Sequence, residues 1–336
     1  MSVAVSRVYV VLVNYNGWRD TIECLESLLR SDYPDFRVIV CDNASPNDSF
    51  FRMLAWANGA EQPAALSGPM DRYSVPLLPK PLRHEVLEGD RPARQIDAPL
   101  AFVRIASNLG FAGGCNVGIR YALADASTAY IWLLNNDTVV PPDSLSRAVA
   151  KLQATPHAGM CGSSLLFYDR PQTVQAAGGG ILNKWTGTTR GLGAFHDIAS
   201  IDESDALRHL DYIAGAALLV SRPFLETIGL MNEDYFLYYE ELDWACRARG
   251  RFTLAYAKDS IVYHKEGGSI GTSSDPAQRS PLADSFGVRN RIRFMRRFYP
   301  YALPVVYLGL FAAIINRIRR GQSDRIPMIL RAMLGL

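Results

Sequence analysis

Two clusters of oxygen-bearing side chains stand out for the chemistry they could do. Asn135-Asn136-Asp137 follows directly on the apolar run 130–134 and is closed by Pro141-Pro142. A carboxylate beside two amide carbonyls is a set of hard oxygen donors, suited to Mg2+ or Mn2+ rather than to zinc. A β-turn rich in Asn and Asp is the alternative. Far along the chain, Glu240-Glu241-Leu242-Asp243 sets three carboxylates within four residues. On a helix, Glu240 and Asp243 face alike and Glu241 points about a quarter-turn away. One acid then faces a substrate while another braces the helix. A general base that deprotonates an alcohol or sugar hydroxyl at a dry cleft needs this placement. An acidic first turn favoured by the helix dipole is the alternative. His264 reads as a metal ligand, a phosphate partner or a hydrogen-bonded structural histidine.

These groups need rigid elements behind them. Residues 8–13, VYVVLV, read as a buried parallel strand. The turn Asn14-Tyr15-Asn16-Gly17 follows, then a helix with Ile22, Leu25, Leu28 and Leu29 at helical spacing, capped by Asp20 or Thr21. Residues 36–40 make a second strand that ends in Cys41-Asp42-Asn43. The handedness of such a strand–helix–strand unit puts Asn14, Asn16, Asp42 and Asn43 on one edge of a sheet. In doubly wound sheets an acid after the second strand commonly holds a ribose or base edge of a nucleotide. Capping of a helix near Asn47-Asp48 is the other reading of Asp42.

Further strands are predicted over 100–105, 130–134, within 158–168, over 211–220 with Gly215 at its centre, over 252–257 and over 262–264. Helices are predicted over 119–123, 144–152, 222–228 and 241–249. Alternating strands and helices of this kind imply an α/β fold with a mostly parallel sheet and helices on both faces. Asn108-Leu109-Gly110 with Gly113 and Gly114 reads as a glycine-rich loop that allows close backbone approach to a ligand. It has neither the GxGxxG spacing nor a Walker lysine. The proline-rich stretch 57–99 reads as an irregular insertion. Residues 183–195 and the Gly/Ser-rich stretch 266–274 read as loops near the site.

Bulk properties narrow the classes. The chain has 336 residues, 49% hydrophobic and 20% charged, with a formal net charge of +2. That balance is ordinary for a globular protein and argues against nucleic-acid binding. Cys24, Cys41, Cys115, Cys161 and Cys246 are odd in number and lack CxxC spacing, which argues against a disulfide framework and for a reducing compartment. No basic, then apolar, leader opens the sequence. The tail differs. Arg289, Arg291, Arg293, Arg296 and Arg297 precede the apolar run 301–315, and Arg317, Arg319 and Arg320 follow it. Such a run falls short of the ~20 residues that span a bilayer as a helix. Basic flanks around it suit a segment lying in the interface of an anionic membrane. A buried helix hairpin or a contact between copies in a homo-oligomer is the alternative.

Taken together, the stretches VVLVNYNGWRDTIECLESLL, VIVCDNASPNDS, NLGFAGGCNVG, LLNNDTVV, DYIAGAALLVSR and FLYYEELDWACRARG resemble, in order, the family 2 glycosyltransferases of the GT-A fold, most closely a rhamnosyltransferase-like branch. The resemblance spans roughly residues 7–270. It implies a GT-A-type, Rossmann-like sheet over residues 1–275, with 57–99 inserted, and a helical membrane-associating region over 276–336. It implies that Asn14, Tyr15, Asn16, Asp42, Asn43, Asn108, Gly110 and Asn136 bind the nucleotide. Asn135-Asn136-Asp137 stands in place of the family's Asp-x-Asp metal motif, so Asp137, with Asn135 and His264, would hold Mg2+ or Mn2+. Glu241 matches the general base, with Glu240 and Asp243 as alternatives.

The implied activity is inverting transfer of a sugar from a nucleotide-diphosphate donor. dTDP-rhamnose is the preferred donor and a UDP-hexose the other candidate. The acceptor would be a hydroxyl of a glycan or a polyprenyl-diphosphate-linked sugar in cell-surface polysaccharide synthesis. The enzyme would sit in the cytoplasm, peripheral on the inner face of the cell membrane. A nucleotidyltransferase is disfavoured, because a glycine-rich loop with a basic residue is missing after the first strand. A non-catalytic sugar-binding protein would not need Asp137 and Glu241 together.

Overall fold

A computed structural model describes residues 6–62, 68–265, 280–319 and 321–335. The loop expected over 266–274 lies outside the described residues. The chain runs β1 (Arg7–Asn14), α1 (Trp18–Leu28), β2 (Phe36–Asp42), α2 (Ser49–Asn58), β3 (His84–Glu88), β4 (Leu100–Arg104), α3 (Gly110–Leu123), β5 (Thr128–Asn135) and β6 (Thr138–Val139). It continues with α4 (Ser144–Ala154), β7 (Ala158–Phe167), β8 (Arg170–Ala177), β9 (Gly179–Leu182), β10 (Thr189–Gly191), α5 (Glu203–His209), β11 (Tyr212–Ile213), β12 (Ala217–Ser221) and α6 (Arg222–Ile228). Last come α7 (Glu240–Ala248), β13 (Thr253–His264), α8 (Pro281–Phe298), α9 (Leu303–Arg319) and α10 (Ile326–Leu334).

The main sheet has the order β3-β4-β2-β1-β5-β12-β7-β13-β6, with β8 on β7. The left half, β3 to β5, is wholly parallel. Alternation along β1 explains the two layers. Val8, Val10 and Leu12 face α1, α2 and α4, where Ile22, Leu25, Met53, Trp56 and Leu145 bury. Tyr9 and Val11 face α3, α6 and α7, where Ile119, Phe224 and Trp244 bury. With both faces covered, such strands are apolar throughout. Asn14 pairs with Asp42 and Val13 with Asn135, so three strands end their carboxyl ends side by side.

The structure corrects several predicted elements. Gly110 opens helix α3, so the stretch read as a glycine-rich loop is mostly helical. Its glycines serve the packing of that helix on the sheet. A Cβ at Gly114 would lie 2.8 Å from Val13 Cγ1, and one at Gly118 2.4 Å from Val11 Cγ1. Residues 211–220 are not one strand. β11 joins a small sheet with β9 and β10, the chain breaks at 214–216, and β12 enters the main sheet antiparallel to β5 and β7. The two strands expected over 252–257 and 262–264 are one, Thr253–His264, with a register irregularity between Ala257 and Ile261. Neither Asp20 nor Thr21 caps α1, whose N-cap is Gly17. The insertion contributes the edge strand β3, and 183–195 carries the end strand β10 of the small sheet.

The C-terminal helices are part of the same body. Val288, Ile292, Phe294 and Met295 of α8 cluster with Tyr235 and Leu242, and with Val306, Leu310 and Ile329 from the last two helices. The apolar run falls in the helical stretch Pro300–Arg319, 20 residues, which is long and apolar enough by length and composition to cross a membrane. That is longer than the run read from the sequence, because the basic end of α9 continues the helix. One side of α9 leaves Leu308, Phe311, Ile315 and Ile318 exposed.

Candidate active site

The carboxyl edge of the parallel strands carries the first polar cluster. Asn14 is its hub. Its Nδ2 donates to Asp42 Oδ2 (2.7 Å) and to Ser45 Oγ (3.1 Å), and its Oδ1 accepts from Thr21 Oγ1 (3.0 Å) and Gly17 N (3.2 Å). Asp42 also accepts from Ser45 N and Oγ. Asn14 and Asp42 are almost fully buried, so burial without these partners would cost about 1–3 kcal/mol for each polar group. Asn43 closes the next link. Its Nδ2 donates to Asn108 Oδ1 and Gly110 O, and Leu109 N donates to its Oδ1, each at 3.0 Å. The amide thereby pins the start of α3 to the end of β2.

Beside this bed lies a cleft lined by Tyr15, Asn43, Asn108, Gly110, Asn136 and Asp137 together with the apolar Phe111, Phe236 and Leu237. Of the residues expected to bind nucleotide, Tyr15, Asn43, Asn108, Gly110 and Asn136 therefore line one cleft. Asn14 and Asp42 stand behind it, and Asn16 is exposed in a left-handed turn (φ 62°) whose N–H donates to Ser45 Oγ. Asn136 is held by its Nδ2 donating to Thr21 Oγ1 at 2.9 Å.

Asp137 is buried, and among the described residues its Oδ1 accepts no hydrogen bond while lying 3.1 Å from His264 Nε2. Burial raises its carboxyl, but the His264 ring and Lys265 together bring it below the ordinary carboxylate range. β13 ends at His264 opposite Thr138, which brings the ring to Asp137. His264 Nδ1 sits 2.8 Å from Gln175 Oε1 and Nε2 3.2 Å from Asn135 Nδ2. Donation from Nδ1 to Gln175 leaves Nε2 as an acceptor facing a second acceptor, Asp137 Oδ1. A proton or a cation between them resolves that contact. A buried carboxylate oxygen without a donor, a histidine oriented from behind and the Asn135 amide fit a divalent ion that takes its remaining ligands from a bound phosphate and water. No group of three His, Cys, Asp or Glu side chains gathers there among the described residues. Gln175, on β8, had no signal in the sequence.

The acidic cluster follows Phe236 and Leu237, at the start of α7. The approach to it is strained. Phe236, Tyr238 and Tyr239 all have positive φ (62°, 68° and 75°), a conformation that bulky residues seldom adopt. Asn290 of α8, fully buried, holds it by donating from Nδ2 to the carbonyls of Tyr235 (2.5 Å), Leu237 (2.7 Å) and Tyr238 (3.2 Å). Phe236 O accepts from Phe111 N (2.7 Å), tying the strained loop to α3. Asn290 was not found from the sequence, because nothing local marks an amide inside a basic helix.

The three acids part company. Asp243 is fully buried and bound to Arg247 Nε (2.6 Å), Arg297 Nη1 (3.0 Å) and Tyr235 Oη (3.2 Å). It braces α7 against α8 and lines neither cavity. Glu240 is buried with Oε2 unpartnered among the described residues, and burial followed by the Glu241 charge raises its carboxyl well above the usual range. Glu241 alone opens onto a second cavity, bounded by Tyr238, Tyr239, Thr188 and the helices α8 and α9. Burial raises its carboxyl too, which suits a base that must hold a proton after taking it.

Gly215 stands between a wall residue of each cavity. Asn135 N donates to Ala216 O (3.0 Å), so the break before β12 abuts the Asn135-Asp137 turn. A Cβ at Gly215 would lie 3.0 Å from Glu241 Oε1 and 3.1 Å from Phe111 Cε1. Phe111 walls the first cleft and Glu241 the second, and a single glycine separates them.

Residues 9–55 and 90–190 match the family described as glycosyl transferase family 2. A low-salt glycan biosynthesis hexosyltransferase of Haloferax volcanii, Agl10, is 27% identical over 149 residues, 44% of this chain and 46% of the relative; the match thus spans about half of that protein. Two solved structures share the fold. A mannosyltransferase of Pyrobaculum calidifontis, solved with GDP-Man and Mn2+, aligns with a TM-score of 0.52 at 16% identity over 98% of this chain and 86% of that one. GalNAc-T7, solved with UDP, GalNAc and Mn2+, aligns with a TM-score of 0.56 at 13% identity over 96% of this chain and 55% of that one.

Proposed function

We propose, from the match of residues 9–55 and 90–190 to glycosyl transferase family 2, that this chain transfers a sugar, with inversion, from a nucleotide-diphosphate donor to a hydroxyl group. The observation that carries the reading is that Gly215 stands in contact range of both Phe111, a wall of the Asp137 cleft, and Glu241, a wall of the second cavity. The donor nucleotide would occupy the first cleft, against Tyr15, Asn43, Asn108, Gly110 and Asn136, over the bed of Asn14, Asn16 and Asp42. Asp137 with His264 and Asn135 would hold Mn2+ or Mg2+, as the relatives solved with Mn2+ suggest. The ion supplies charge stabilisation for the departing diphosphate. The acceptor hydroxyl would enter from the second cavity, and Glu241 would take its proton as the oxygen attacks the anomeric carbon. Phe111, Phe236 and Leu237 keep the junction apolar, which strengthens the electrostatic contacts there.

The donor is narrowed to dTDP-rhamnose first and UDP-hexose second by the branch resemblance alone. A glycan or polyprenyl-diphosphate-linked acceptor fits the exposed apolar side of α9, flanked by Arg296, Arg297 and Arg319, which would rest on the inner face of the membrane. The helical region (276–336) would then serve both anchoring and, through α8 and α9, the acceptor cavity.

The test is nucleoside-diphosphate release from a panel of dTDP-, UDP- and GDP-sugars with Mn2+ or Mg2+. Asp137→Ala and Glu241→Gln should each lower turnover by about 10²-fold or more, the scale of losing charge stabilisation or a general base. Release that survives both substitutions removes this mechanism.

A further inference from the structure

The second cavity has a feature that general-base chemistry does not use. Arg291, on α8, lines it beside Glu241. Its Nε donates to Thr186 O at 2.5 Å, and no carboxylate lies within ion-pair distance of it among the described residues. Burial, partly opposed by Tyr239, lowers the pKa of the guanidinium, with no acid restoring it. Its stem is fixed. A Cβ at Gly187 would lie 3.1 Å from Arg291 Cγ, and one at Gly309 of α9 would lie 3.3 Å from its Nη2. The turn that holds it is itself tied to the acidic loop, because Tyr239 Oη donates to Gly187 O at 2.8 Å.

Arg317, from α9, lines the same cavity. Its Nη2 donates to Asp284 Oδ2 at 2.5 Å, and its Nε is buried with no hydrogen-bond partner among the described residues. Asp284 is also 3.7 Å from Arg325 Nη1. That carboxylate is therefore shared by two guanidinium groups, and among the described residues it forms no ion pair with Arg291. The Arg291 side chain donates only through Nε among the described residues, and a half-buried cation so placed is costly unless an anion arrives. Guanidinium groups match the oxygens of phosphate in charge and in fork geometry.

We propose that the cavity beside Glu241 is an oxyanion site, in which Arg291, seconded by Arg317, anchors a phosphate group of the acceptor and so presents its hydroxyl to Glu241. This rests on the transferase reading above, and it specifies the acceptor as a phosphate ester. The phosphate comes either from a membrane lipid or from a soluble phosphorylated compound, and the chemistry of the anchor is the same for both.

Calorimetry on the full chain in EDTA tests it with farnesyl phosphate, glycerol 3-phosphate and the uncharged farnesol and glycerol. The metal chelator keeps cation-dependent binding at the Asp137 cleft out of the measurement. Both phosphates should bind and both alcohols should not. Arg291→Gln should weaken phosphate binding tenfold or more, and Arg291→Lys should restore part of it as a point charge. Arg317→Gln gives an independent reading if Arg291→Gln melts early. Tighter binding of farnesyl phosphate than of glycerol 3-phosphate assigns the source to a lipid, and equal binding assigns it to a soluble compound. Wild-type phosphate affinity in Arg291→Gln and Arg317→Gln, or no phosphate binding by the native chain, overturns the proposal. Arg291-dependent phosphate binding without nucleoside-diphosphate release from any nucleotide-sugar would sink the transferase reading and leave the oxyanion site standing.

Discussion

Gly215→Ala places one methyl group between the two cavities. The added Cβ would meet Glu241 Oε1 at 3.0 Å and Phe111 Cε1 at 3.1 Å, where ordinary contact begins at 3.4 Å. The carboxylate must retreat by 3.4 − 3.0 = 0.4 Å. Misplacing a reacting group by about 1 Å costs on the order of 10²-fold in rate. In proportion, 0.4 Å costs about sixfold, or roughly 1 kcal/mol of transition-state stabilisation. The assay is nucleoside-diphosphate release under saturating donor, run as a double-variant cycle with Glu241→Gln. If the methyl acts by moving the base, its effect disappears once the base is gone. An additive cycle, with the same sixfold loss in the Glu241→Gln background, refutes the reasoning. So does a loss that falls on donor affinity alone, because the Phe111 ring would then have yielded instead.

Three further outcomes are expected. Glu240 has its carboxyl raised by burial and by Glu241, so the stability it lends is full below about pH 4.5 and is lost as pH rises through its raised folded value. Glu240→Gln, neutral throughout, should therefore gain in melting temperature over the native chain between pH 4.5 and 8, and a pH-independent difference would count against this. Gly118→Ala should destabilise more than Gly114→Ala, by about 1–3 kcal/mol in urea unfolding, because its Cβ meets Val11 at 2.4 Å against 2.8 Å to Val13. Equal or stabilising effects would show that α3 can lift from the sheet. Leu308→Asp combined with Phe311→Asp should lower sedimentation with anionic vesicles by severalfold, apolar burial being the larger part of interfacial binding. Both side chains are exposed, so the fold is expected to survive, whereas truncation after Arg297 would uncover the cluster that Val306 and Leu310 share with α8. Unchanged sedimentation would place the membrane elsewhere.

Local pattern carried much of the left half of the molecule. Apolar β-branched runs broken by Asn and Asp specify buried parallel strands with polar ends, and right-handed crossovers bring those ends to one edge. Asn14, Asp42, Asn43 and Asn135-Asn136-Asp137 could therefore be gathered from the sequence, and they stand together in the structure. What each does there was not legible. Asn14 and Asp42 satisfy each other behind the cleft, a matter of burial and of which donor is within reach. The glycines of 110–118 look the same in sequence whether they serve a ligand or a neighbouring strand. Only the distance from α3 to Val11 and Val13 distinguishes the two.

The acids of α7 show the division most clearly. Helical spacing set Glu241 apart from Glu240 and Asp243 before any coordinates were known. It could not say which side faces the chemistry, because that depends on partners from distant segments. Arg297 claims Asp243, Asn290 holds the strained loop ahead of the helix, and Gly215 admits Glu241 to the junction. Gly215 itself reaches that place because β12 runs antiparallel between parallel neighbours, so that its first residues, not its last, lie at the carboxyl edge of the sheet. Strand direction is a property of the assembled sheet. A single strand's pattern of apolar residues reads the same in either direction, and so the sequence alone named the acids while the tertiary structure chose among them.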